Sequence, residues 1–284
     1  MSRSLVLFVA AAGVVLIAAF LWPEAPPAPP APPALPAAAA PVAPPTPAKG
    51  ERSLESMMAE EARRIREAPG RKGILAERKR YSTFDEELII RDFFKDRRDG
   101  IFVDVGCAWP AMSSNTYYLE KHLGWSGIGI DALSEYGPDW EKLRPNSKFF
   151  NYLVTDHSGT EESFFRSPDK GLSSANREMA TGKRFGEDLT PVKIEVPSIT
   201  LTELLDQQGI EKIDLLVMDI EGHEYAALQG FDIARFAPEL VVVEGMEGNV
   251  RRHLRANGYR VVKRFLPFDT VNRYYRRKRN PAGS

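Results

Sequence analysis

The sequence predicts a doubly wound α/β domain built on a mostly parallel sheet, on three observations. From Phe84 onward short apolar runs recur as IFVDV, GIGID, FFNYLV, IDLLVMDI and ELVVVEG. Helix-length segments separate them, beginning with Glu86 to Lys95. The runs are apolar at consecutive positions, as in strands buried on both faces. Such strands, joined through helices, pair in parallel as βα units.

The lead before this domain is of another kind. Ser4 to Trp22 carries no charge and is long enough to cross a bilayer as a helix. It reads as a signal peptide or a signal anchor. Phe20, Leu21, Trp22 and Pro23 match the small-x-small cleavage pattern poorly, which favours an uncleaved anchor over residues 1–22. Arg3 precedes the run and the next positive charge is Lys49, so the positive-inside rule places the N-terminus in the cytosol. Residues 23–50 are nearly all Pro and Ala, an extended stalk that buries no core. Residues 51–80 read as a charged linker, helical from Leu54 to Glu67 and broken at Pro69-Gly70. The domain then occupies residues 81–277 and a tail 278–284. The basic stretch from Arg273 to Arg279 reads as an edge strand followed by an end that meets phosphate or lipid head groups.

Composition narrows the function classes. A net charge of -1 with 27% charged residues gives no global basic excess to draw the chain to nucleic acid. A single cysteine, Cys107, excludes an intrachain disulfide and a cysteine-rich zinc site.

Ligands of doubly wound sheets bind at the carboxyl ends of the strands, so the polar residues that end each apolar run matter most. In FVDVGCAWPAMSSNT, Asp104 ends a strand, Gly106 permits a sharp turn, and Asn115 and Thr116 stand near the next helix. In GIGIDAL, Asp131 follows Asp104 at a spacing suited to gripping ribose hydroxyls, against the alternative of an ordinary strand-end acid in a turn. Asp156, in NYLVTDHSG, could meet an adenine edge or simply form a turn. In LLVMDIEGHEYAALQGF, Asp219, Glu221, His223 and Glu224 crowd between a buried strand and a helix. That density of titratable groups suggests chemistry, while Glu224 reads more simply as a first-turn surface acid.

These residues resemble the FkbM family of methyltransferases. The resemblance runs from Asp104-Val-Gly-Cys-Ala-Trp-Pro and Ser114-Asn115-Thr116 through Gly124-Trp125 and Gly127-Ile-Gly-Ile-Asp131. It resumes at Val196-Pro197 and Leu201, continues in Asp219-Ile-Glu221-Gly222-His-Glu224, and reaches Val242-Val-Glu244 and Gly258-Tyr259. Pro110 stands where many members carry a second glycine.

The resemblance implies a Rossmann-like domain of the class I methyltransferase type, dependent on S-adenosyl-L-methionine. By that resemblance Asp104 and Gly106 bind the cofactor at one strand end, Gly106 allowing its close approach, while Asp131 holds the ribose, Asp156 lies near the adenine, and Ser114 and Asn115 hold the methionine end. A base must then take the acceptor's hydroxyl proton: Asp219 and Glu221 rank first, and His223 has the intrinsic pKa nearest neutrality. No metal is expected. The implied acceptor is a hydroxyl of a sugar, on a glycan or lipid-linked saccharide, with the chain a single-pass membrane protein of the Golgi or another endomembrane in a eukaryote, or of the inner membrane in a bacterium. Two rival readings are a non-enzymatic trafficking or scaffold protein that keeps the fold, and a glycosyltransferase, which the missing Asp-x-Asp motif disfavours.

Overall fold

The amphipathic run EELIIRDFF forms the first helix of the domain, α1 (Glu86–Phe94), which buries Ile89, Ile90 and Phe94. The computed structural model describes residues 81–183, 186, 188–245 and 248–278. The anchor, stalk and charged helix expected over residues 1–80, and the tail beyond Lys278, lie outside them. Among the described residues no helix is long and apolar enough to cross a membrane.

The chain continues through β1 (Ile101–Val105), α2 (Tyr117–Leu123), β2 (Ser126–Asp131), α3 (Gly137–Leu143), β3 (Ser147–Asn151), β4 (Leu153–Thr155), β5 (Glu161–Arg166), β6 (Val192–Thr200) and α4 (Leu201–Gln207). It closes with β7 (Leu215–Met218), α5 (Glu224–Gln229), α6 (Ile233–Phe236), β8 (Leu240–Glu244), α7 (Gly248–Ala256), β9 (Tyr259–Val261) and β10 (Asn272–Arg277). Seven strands form one sheet in the order β3-β2-β1-β7-β8-β10-β9, and β4-β6-β5 form a second, smaller sheet. In the large sheet β10 alone runs antiparallel to its neighbours. The expected Rossmann-like, mostly parallel α/β architecture is therefore present.

Strand periodicity divides the core. Val103, Val105, Ile128, Ile130, Leu216, Met218, Val241 and Val243 face α4 to α7. Their neighbours Phe102, Leu215, Val217, Leu240 and Val242 face α1 and α2. Both faces are covered, which is why these strands read as unbroken apolar runs.

Three expectations need correction. FFNYLV is not one strand: Asn151 Nδ2 and Tyr152 N both donate to Asp131 O (2.9 and 3.1 Å), ending the β2–β3 ladder, and Leu153–Thr155 pairs instead with Ser198–Thr200. The run IDLLVMDI is strand only over Leu215–Met218, because Glu221 and Gly222 turn the chain at φ +55 and +90. The basic strand is not an edge: β9 pairs along its outer side, and Tyr274 and Tyr275 are buried on opposite faces.

Candidate active site

The order of the large sheet reverses at β1, whose neighbours are β2 on one side and β7 on the other. A crevice opens outside the carboxyl ends of strands at such a point. Gly106 begins the turn after β1 at φ +78, and a Cβ there would lie 1.9 Å from Asp219 O, so only glycine lets the ends of β1 and β7 come together.

The loop after Gly106 is fastened from below. Ala108 N donates to Asp131 Oδ2 (3.0 Å) and Leu133 N to Asp131 Oδ1 (2.8 Å). Trp140 Nε1 donates to Ala108 O (2.8 Å), and Arg144 Nη1 to Pro110 O (2.8 Å). Arg144 is fully buried and its Nε donates to the buried Glu120 carboxylate at 2.5 Å. Asp131 is half-buried, and burial pushes its carboxyl up to about 6 despite those two backbone donors.

Beyond β7 the acids gather. Asp219 is open to solvent yet walled by protein; that enclosure, and then the Glu244 carboxylate, push its carboxyl well above the usual range. Carboxylate oxygens of Asp219, Glu221 and Glu244 all lie within 4.8 Å of one another, a set with the spacing to hold a cation. Glu221 is buried in the left-handed region, a strained conformation for a residue with a side chain.

Glu224 is not the surface acid its sequence position suggests. It is buried, its Oε1 accepts from Ile220 N (3.1 Å) and Gly222 N (3.3 Å), and burial raises its pKa to about 6. It fixes the turn that carries Asp219 and Glu221.

One cavity brings four expected residues together: Gly106, Asp131, Asp219 and Glu221. Its enclosed volume is small, about 60 Å³, and the rest of its space opens to solvent. Leu133, Leu153 and Phe164 give it apolar walls.

The other expected residues lie outside its lining. Asp104 is buried and accepts from Thr116 Oγ1 (2.7 Å). Ser114 is buried too, and its hydroxyl accepts from Tyr117 N (3.1 Å) and Thr116 N (3.3 Å). Both brace the start of α2. Asn115 is half-buried beside them. Asp156 is exposed and pairs with His157 Nδ1 at 2.7 Å, which holds its carboxyl low. His223 turns to Thr155 Oγ1 (3.2 Å), and burial lowers its pKa.

Two contributions escaped the sequence reading of the site. Glu244 faces Asp219 because β8 pairs with β7; its signal was the polar end of ELVVVEG. The segment after β5 covers the cavity with Lys170, Gly171 and Ser173. It is tied down by Lys170 Nζ–Glu135 (2.8 Å), Arg166 Nη2–Glu135 (2.9 Å) and Ser174 Oγ donating to Glu221 O (2.9 Å). No local pattern announces that segment.

Against known proteins, residues 97–261 match the methyltransferase FkbM domain. The 31-O-demethyl-FK506 methyltransferase FkbM of Streptomyces tacrolimicus is 25% identical over 217 residues, covering 63% of this chain and 83% of that protein. Among solved structures, a TehB-like SAM-dependent methyltransferase from Corynebacterium glutamicum is 13% identical with a TM-score of 0.38, over 69% of this chain and 88% of the other. The 1,6-didemethyltoxoflavin-N1-methyltransferase of Burkholderia thailandensis is 10% identical with a TM-score of 0.32, over 67% of this chain and 74% of the other.

Proposed function

The chain belongs to the FkbM methyltransferase family, and from that premise we propose that it methylates a sugar hydroxyl, with Asp219 taking the hydroxyl proton. It is an S-adenosylmethionine-dependent methyltransferase, and its acceptor is the part proposed. The observation that carries the reading is the Asp219 carboxylate at the tip of β7, beside Glu244 and on the wall of the cavity that also holds Gly106 and Asp131.

The residues present fit the cofactor. Each Asp131 oxygen accepts one backbone N–H and keeps lone-pair capacity for a ribose hydroxyl. Leu133, Leu153 and Phe164 suit a flat base, and the acids at the β7 end favour a cationic centre. When bound, the cofactor supplies a methyl carbon activated by a sulfonium leaving group.

The chain's own part is alignment and proton removal, and alignment is worth roughly 7–11 kcal/mol of a barrier where it is complete. Asp219, raised by enclosure and by Glu244, holds a proton better than a free aspartate does, which suits a base working near neutral pH. The first-ranked bases of the sequence reading, Asp219 and Glu221, line the cavity, whereas His223 bonds to Thr155 away from it.

Transfer to oxygen is supported by the Streptomyces relative, whose name, 31-O-demethyl-FK506 methyltransferase, denotes an O-methyl transfer. A saccharide acceptor, and anchoring through residues 1–22 on an endomembrane or bacterial inner membrane, rest on the uncharged Ser4–Trp22 run. The test incubates the full chain with methyl-labelled S-adenosylmethionine and a panel of free and lipid-linked saccharides, read by mass spectrometry. The expected result is one methyl ether on a saccharide, with Asp219→Asn lowering kcat about 10²–10⁴-fold. Label found only on nitrogen or sulfur acceptors, or full turnover by the variant, would overturn the reading.

A further inference from the structure

The amino end of the large sheet carries a second cleft, of about 870 Å³, far from the chemistry just described. Its place follows from topology: Lys212 precedes β7, Glu239 precedes β8, and Arg276 to Lys278 end the antiparallel β10. The cofactor cavity lies at the opposite ends of the same strands.

Five cations line this cleft, Lys212, Arg235, Arg276, Arg277 and Lys278, against one carboxylate, Glu239. Glu239 is already neutralised by Arg97 at 2.6 Å, and Arg97 also bridges Asp214 at 3.0 Å. Arg235 is likewise committed, to Asp206 at 2.6 Å with Asp232 and Glu211 close by. Lys212, Arg276, Arg277 and Lys278 are exposed and form no ion pair among the described residues.

The β9–β10 register adds to this excess. Arg276 stands directly opposite Arg260, a like-charge cross-strand pair that works against the sheet unless an anion lies nearby. Arg260 turns its guanidinium onto the carbonyls of Arg255 and Tyr259, and among the described residues neither arginine forms an ion pair. In a chain of net charge -1, this local surplus is an arrangement rather than a consequence of composition.

We propose that the cleft is a second binding site, for a phosphate-bearing ligand. Several cations around one open cleft suit a group with multiple negative oxygens, and the planar fork of an arginine matches phosphate geometry. The phosphate belongs either to a soluble phosphate ester or to a lipid headgroup, and the binding chemistry is shared.

The test uses the full-length chain in two arms. One titrates it with inorganic pyrophosphate by calorimetry. The other compares its co-sedimentation with phosphatidylcholine vesicles and with vesicles that also contain phosphatidic acid. The N-terminal apolar run is present in every sample, so the increment from the anionic lipid reads the cleft. Arg276→Glu/Arg277→Glu is expected to weaken the responding arm about tenfold, and Lys212→Glu, from the other wall, about threefold. S-adenosylmethionine affinity should stay within about twofold in all variants, which verifies the fold. A response to pyrophosphate alone assigns a soluble ester, and a response to phosphatidic acid alone assigns a headgroup. No response in either arm, or equal binding by wild type and both variants, overturns the site.

Discussion

The two ends of the large sheet hold charge of opposite sign under opposite conditions. At the carboxyl end Asp131, Asp219 and Glu224 stand among walls that raise the pKa of each, with Glu244 beside them. At the amino end Lys212, Arg276, Arg277 and Lys278 stand in water. Enclosing like charges destabilises a fold, whereas solvated charges cost little. The clustered acids are therefore eased by a bound cation or proton, whereas the solvated cations depend far less on a partner.

Substitutions should separate the two ends sharply. The largest effect is expected at Gly106, where a side chain would strike Asp219 O. Gly106→Val should lose measurable cofactor binding and about 3 kcal/mol or more of stability, read by calorimetry and urea unfolding. Next comes the support beneath the cavity. Arg144→Ala leaves the buried Glu120 carboxylate without its cation and should cost about 3–5 kcal/mol, while the exposed Arg276→Ala should stay within about 0.5 kcal/mol. Similar losses in both would break the contrast.

A third prediction concerns pH. Burial raises Glu86 to about 7 from the ordinary 4.5, and Glu86 also adds repulsion at Asp219. Because the folded value is the higher one, its contribution is fully present below about pH 4.5 and is lost as pH rises through 7. The loss is about 3 kcal/mol at the order-of-magnitude level. Glu86→Gln should flatten the apo-protein's unfolding free energy between about pH 5 and pH 8. An unchanged slope would show that other carboxyls set it.

The contrast also explains what was legible in the sequence. Strands covered on both faces announce themselves as apolar runs, so β1, β2, β7 and β8 and their terminal acids could be read directly. The β5–β6 hairpin is largely half-buried or exposed, and β6 contains Pro197, so no such run marks it. Asp131, Asp219 and Glu221 were legible because strand ends converge. Ser114 and Asp104 were expected at the ligand, and here each bonds to groups at the start of α2, which a sequence does not show. Glu224 was misread for a related reason: its partners, Ile220 N and Gly222 N, depend on a left-handed turn at Glu221 that few side chains adopt. Glu244 acquires its meaning only from the pairing of β8 with β7.

The most direct test of the carboxyl-end cavity as the cofactor site is a calorimetric titration of the full-length chain with S-adenosylmethionine, beside Asp131→Ala. Saturable one-to-one binding in the parent, weakened about tenfold or more in the variant, is the predicted result. No binding by a folded parent, or equal affinity in the two proteins, would contradict it.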